Sequence, residues 1–151
     1  MNLRRVVVTG LGALTPIGNT VPEFWDGLSN GVSGAAPITR FDASKFKTQF
    51  ACEVKNLDIL QFMDRKESRK IDPYAQYAMV AVAEAMEDSG LDLEKIDLTR
   101  AGVIWGSGIG GLRTFQDEVT DFAGGDGTPR FNPFFIPKMI ADIAAGFISI
   151  K

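Results

Sequence analysis

Histidine is absent from this 151-residue chain, and cysteine occurs once, at Cys52. Without histidine there is no Ser–His or Cys–His pair to activate a nucleophile, and no histidine-rich metal site. With a single cysteine there is no internal disulfide and no zinc–thiolate cluster, a usage that suits a reducing compartment. No metal and no cofactor are expected. Long apolar runs are missing as well. The N-terminus, MNLRRVVVTG, holds only three consecutive valines, short of a signal-peptide core. Nothing approaches the roughly 20 apolar residues that a membrane span needs. Charge of one sign is not in excess either: 16 basic against 19 acidic residues leave −3, too mild to argue for nucleic acid or an anionic membrane. The expectation is a soluble cytoplasmic protein.

The 45% apolar and 23% charged content is globular, and the length suits one domain over residues 1–151 with a sizeable core. The pattern turns on AGVIWGSGIGGL, Ala101 to Leu112. Ala101 to Trp105 reads as a short buried strand, and Gly106, Gly108, Gly110 and Gly111 follow. Glycine in such a turn permits positive φ and close approach of backbone or ligand. Ile109 is its only large side chain, and the turn is expected to help line an apolar site.

Elsewhere, Arg4 to Thr9 reads as a strand buried on both faces. A helix over about 21–29 takes Thr20 as its cap and Pro22 in its first turn, and Gly31 ends it. Residues 31–47 read as a surface loop and Thr48 to Val54 as an edge strand. A short helix follows through Leu60, Phe62 and Met63. The strongest helix signal runs from Tyr74 to Ser89, capped by Asp72, begun by Pro73 and closed by Gly90. It is apolar nearly all round, so burial is expected, with alanines letting neighbours come close. A further helix covers about 112–122 with Phe115, Val119 and Phe122 inward. Residues 123–130 read as flexible, and a last helix is expected to start at Pro137.

Several motifs have dull explanations that we prefer. Gly106, Gly108 and Gly111 fit G-x-G-x-x-G, the dinucleotide turn. The second strand with its acidic end, due about 20 residues on, is replaced by AGGDGTPR. Val8 to Gly12 lacks the third glycine, where Thr15 stands. Ser44 to Lys47 fits S-x-x-K but lies in a polar loop, unsuited to a desolvated lysine. Cys52, with no basic neighbour closer than Lys55, reads as a buried inert thiol. Arg65, Lys66, Arg69 and Lys70 form a basic row against Glu67. They read either as a solvated connector or as a docking patch for an acidic partner. Phe134, Phe135 and Ile136, bracketed by prolines, suit core, a subunit interface or a pocket wall.

Four stretches together resemble the N-terminal portion of the type II β-ketoacyl-acyl-carrier-protein synthases. They are RRVVVTGLGALTPIGNT (4–20), RKESRKIDPYAQYA (65–78), GSGIGGL (106–112) and FNPFFIPKMIADIAAG (131–146), in order and together spanning essentially the whole chain. The resemblance implies an α/β fold of the thiolase-like, layered α-β-α-β-α kind, of which this is the N-terminal part, and a homodimer. It implies an acyltransferase that elongates fatty acyl chains by decarboxylative Claisen condensation of malonyl carrier protein with an enzyme-bound acyl thioester. The family's Cys-His-His set cannot be within this chain; it is expected beyond Lys151, so this segment alone should be inactive. By the same resemblance Ile109 lines and gates the acyl pocket. Phe134 or Phe135 reaches that pocket across the dimer interface, and Lys66, Arg69 and Lys70 contact the acyl carrier protein. Phe147 departs from the pattern, standing where a polar residue is expected. The competing readings are a small nucleotide-binding oxidoreductase and a catalytically dead interaction module of the same fold.

Overall fold

The computed structural model describes residues 3–151. The backbone divides into two compact units: residues up to Asp58 with Ala83–Leu91, and Ile59–Val82 with Asp92–Lys151.

In the first unit, α1 spans Val21–Ser29, and its start is chemically determined. The Thr20 hydroxyl accepts from Glu23 N–H, while the Glu23 carboxylate accepts from Asn19 N–H at 2.8 Å. Each side chain thus serves a backbone donor that the helix start leaves unpaired. Gly31 (φ 66°) follows the end of α1, as expected of a terminator. Two three-residue strands, β1 (Ala35–Pro37) and β2 (Phe50–Cys52), pair antiparallel with Ala36 opposite Ala51. The edge strand expected over 48–54 is therefore present but shorter, and its partner lies within the expected loop. Cys52 is exposed rather than buried. The ribbon presents alternate side chains outward on both strands, leaving Phe50 and Cys52 in solvent.

The expected strand at 4–9 does not form. Val6 is 90% and Val8 79% exposed, in irregular chain without a ladder. A strand is stable only as part of a paired sheet, and the one ladder among the described residues is β1–β2. What fastens residues 10–21 is instead the far end of α3 (Pro73–Ser89). Glu84 accepts from Ala13 N–H at 2.8 Å and from Val21 N–H at 2.7 Å, and Asp88 accepts from Leu11 N–H at 2.9 Å. Spaced four apart, the two carboxylates share a helix face. Gly10 lies against the Ala85 carbonyl and Ser89, where a Cβ would approach within 3.0 Å.

The second unit holds the larger core. A 3₁₀ turn (Ile59–Gln61) and α2 (Arg65–Ser68) lead into α3, which begins at Pro73 as the cap-and-proline signal requires. Gly90 (φ 60°) terminates it. Ala75 and Ala78 on α3 are buried with Met63, Ile71 and Ala144. Val80 is buried too, but most of α3 is only half covered, so the all-round burial expected for it is not reached. After the 3₁₀ turn Leu98–Arg100 come α4 (Leu112–Gly124), α5 (Phe135–Met139) and α6 (Ile143–Ile150). Pro137 does not open the last helix: it lies inside the first turn of α5, where a missing N–H costs nothing. Phe147, the departure noted above, packs on the Met63–Ala144 core as a half-buried apolar residue.

The second expected strand, 101–105, is likewise absent. Ile104 is 99% exposed, in irregular chain that no neighbouring strand pairs. Phe115, Val119 and Phe122 on α4 stay about two-fifths exposed, although they share a helix face as expected. Two of them are covered by other rings. Phe115 stacks on Phe135 (6.2 Å), Phe135 on Phe131 (5.7 Å), and Phe131 lies against Phe122 (5.3 Å). Offset rings at these separations attract beyond their buried area.

Candidate functional site

The basic row folds as a single capped turn. Asp64 Oδ1 accepts from Lys66 N–H and Glu67 N–H, both at 2.7 Å, and this starts α2. Gln76 on α3 ties down the far end, donating to Ser68 O at 2.7 Å and Ile71 O at 2.9 Å. Glu67, the one acidic residue within the row, is met by Lys151 Nζ at 3.2 Å. The Glu67 amide above all, then the Lys66 amide and the nearby Lys66 and Lys70 charges, hold the Asp64 carboxyl below its ordinary range, against the opposing effect of desolvation. A depressed native pKa means the cap is fully present above the ordinary carboxylate pKa and is lost as pH falls through the lower, native value. We expect the Lys66 and Glu67 amide shifts to titrate together below the ordinary aspartate midpoint. An unshifted midpoint would show that the cap does not persist in solution.

Across from the row stand α4 and the loop 125–134. Together they enclose an open cleft of about 1010 Å³. Arg65, Lys66, Arg69 and Lys70 form one side, and Glu118, Asp121 and Asp126 stand among the opposing residues with Phe122, Phe131 and Phe134. The loop is more ordered than its composition suggests. Asp126 accepts from Thr128 N–H at 2.9 Å and pairs with Arg130 at 3.0 Å. Glu118 accepts from Asn132 N–H at 2.9 Å, and Asn132 Oδ1 accepts from Phe134 N–H at 2.8 Å. Lys70 Nζ sits 5.2 Å from the Phe134 ring centroid.

Beside this cleft in sequence, the glycine turn is a backbone junction. Gly110 has φ 73°, and Gly111 N–H donates to Met139 O at 3.0 Å. A Cβ on either residue would come within 3.0 Å of the Met139 or Lys138 carbonyl. Asp72, 5% exposed, completes the knot. Its carboxylate accepts from the Thr114 hydroxyl and from Tyr74 N–H at 3.2 Å, and the Tyr74 hydroxyl donates to Ile140 O. Burial, then the Asp72 and Asp142 charges, push the Tyr74 pKa up, which keeps that donor protonated.

The model of the β-ketoacyl synthase N-terminal domain matches residues 3–151. The chain belongs to that family. Over 148 residues it is 46% identical to the 3-oxoacyl-[acyl-carrier-protein] synthase 2 of Synechocystis sp., covering 98% of this chain and 35% of that protein. The enzyme of the same name from Coxiella burnetii is 46% identical over 151 residues, covering 100% and 36%. A ketosynthase of a type II polyketide synthase, solved with its acyl-carrier protein and bound to the hexaketide, superposes with TM-score 0.77. It shares 26% identity and covers 95% of this chain and 37% of that one. The fold is thus the N-terminal part of the thiolase-like ketosynthase fold. The chain spans about a third of the length of its curated relatives.

Of the residues singled out from sequence, this β-ketoacyl synthase segment gathers Lys66, Arg69, Lys70 and Phe134 around one cleft. Phe135 is half-buried in the ring stack, one residue away from the lining. Ile109 is 66% exposed and does not line the cleft, since the outer side of its turn, at Gly106 and Gly108, faces open space. Arg130 and Glu118 escaped sequence reading. The Asp126–Thr128 turn was the signal for the first, and only the fold brings Glu118 to Asn132.

The geometry also speaks against a nucleotide. Gly110 N–H donates to Ser107 Oγ and Gly111 N–H to Met139 O, so two amides that would cradle a phosphate are engaged. The Asp72 carboxylate, bound to Thr114, already places an anion against the first turn of α4. Ser44 and Lys47 are both exposed, which leaves no desolvated lysine for S-x-x-K chemistry. Among the described residues no group of His, Cys, Asp or Glu is arranged to hold a metal, and no helix is long and apolar enough to cross a membrane.

Proposed function

We propose that this chain is the N-terminal part of a cytoplasmic, homodimeric 3-oxoacyl-[acyl-carrier-protein] synthase of the elongating type. The longer enzyme condenses an enzyme-bound acyl thioester with malonyl carrier protein, carbon dioxide leaving as the new bond forms. Its reacting cysteine and two histidines lie outside this segment, which supplies carrier docking and part of the acyl pocket, with Ile109, Phe134 and Phe135 on the pocket side. The carrying observation is the shared cleft: the four cations of the row and Phe134 border one opening, with Arg130 paired to Asp126 and with Glu118 and Asp121 among the other lining residues. An acidic carrier steered to such a row gains chiefly in encounter rate and register. The ketosynthase solved with its acyl-carrier protein supports a partner of that kind.

The test is charge reversal at Lys66 and Arg69 in the longer enzyme. Removing two attractive contacts and adding two repulsive ones should raise KM for carrier-bound substrate about tenfold, near 1.4 kcal/mol. KM for a small thioester analogue should stay unchanged. Equal effects on both substrates would remove the docking role.

A further inference from the structure

We propose that Lys70 couples the basic row to the aromatic loop, its ammonium steadying the Phe134 ring until an acidic partner claims it. This rests on the docking reading above and adds a consequence to it. Lys70 is the member of the row that faces an aromatic ring, 5.2 Å from the Phe134 centroid. A ring quadrupole attracts a partly exposed ammonium weakly. A carboxylate brought to the same place offers a full opposite charge and the stronger attraction.

The loop beneath is built to respond locally. Phe134 is held by Asn132 through its own amide, Asn132 by Glu118 on α4, and the next residue, Phe135, donates to Asn132 O at 2.8 Å. Phe134 is itself 38% exposed and forms none of the stacked ring pairs, so Lys70 is the ring's aromatic-type contact. Withdrawing Lys70 therefore loosens Phe134 while the Glu118–Asn132 anchor and the Phe115–Phe135–Phe131 stack hold the rest. Arrival of a carrier at the row is in this way transmitted to the loop that the proposed function places beside the acyl pocket. Lys70 is a positioning residue in this scheme.

Amide hydrogen exchange on the longer enzyme, with and without acyl carrier protein, tests it. Carrier should slow exchange across 65–70 and speed it at Phe134, while Phe135, held in the ring stack, should stay unchanged. Lys70→Met, which keeps the stem and drops the charge, should raise exchange at the Phe134 amide about two- to fivefold without carrier, the range an exposed cation–π contact allows. Lys70→Arg should restore the slow rate, and Lys66→Met, which touches no ring, should leave it alone. Carrier protection at 65–70 with no acceleration at Phe134 overturns the coupling and leaves docking standing. Unchanged exchange in Lys70→Met overturns the contact itself. Absence of protection at 65–70 overturns docking and the coupling with it.

Discussion

Gly111→Ala should destabilise the second unit by about 3 kcal/mol or more, the largest single-site loss we expect in the chain. Three constraints meet at that Cα. The Lys138 carbonyl would lie within 3.0 Å of the new methyl, and so would Asp72 Oδ2. The residue's own N–H is committed to Met139 O at 3.0 Å, so the turn cannot swing away without breaking that bond. The obstruction is backbone, which cannot step aside as a flexible side-chain end does. Gly110→Ala meets the same difficulty at Met139 O and adds a φ of 73°, a region that costs an L-residue about 1 kcal/mol. Gly106→Ala and Gly108→Ala are the controls. Each faces open space with φ outside the left-handed region, and each should stay within about 0.5 kcal/mol of the parent. Urea midpoints for the four variants decide the matter: four equal midpoints would mean that the α5 carbonyls do not close on this turn in solution.

That contrast also shows what the sequence could and could not convey. Helix starts were legible, because Thr20, Asp72 and Pro73 act on backbone groups within a few residues and need no distant partner. Stops were legible at Gly31 and Gly90, whose positive φ is local chemistry. Four glycines within 106–111 announced a close approach, yet nothing in their order told Gly111, under Lys138, from Gly108, in the open. Strands were the opposite case. Val6 to Val8 and Val103 to Trp105 carry strong strand composition, but a strand is a property of its neighbours, and these runs have none among the described residues. The basic row could be read as charge, whereas its meaning as one side of a cleft depends on α4 and the 125–134 loop, some fifty residues away. Glu118 left no signal at all: a carboxylate on an exposed helix face is ordinary until the fold lays Asn132 N–H against it.

Asp72→Ala should cost about 3 kcal/mol, and the reason lies in where a buried carboxylate can be tolerated. At 5% exposure the charge has given up nearly all its water. Desolvation of that kind is offset only by hydrogen bonds and favourable fields. Asp72 has both. It caps α3, accepting from Tyr74 N–H, and it accepts from Thr114 in the first turn of α4, so two helix N-termini direct their positive ends at one carboxylate. Alanine leaves the Thr114 hydroxyl and the Tyr74 amide without that acceptor and opens a void beneath Gly111. Asparagine keeps an acceptor of the same shape but forfeits the charge, so Asp72→Asn should cost about half as much. Thr114→Val removes the other partner and should cost about 1–2 kcal/mol. Combined with Asp72→Ala it should fall short of additivity by roughly 1 kcal/mol, since the shared bond can be lost only once. Strict additivity in that cycle would mean that the two side chains do not bond and that α3 and α4 are joined by packing alone.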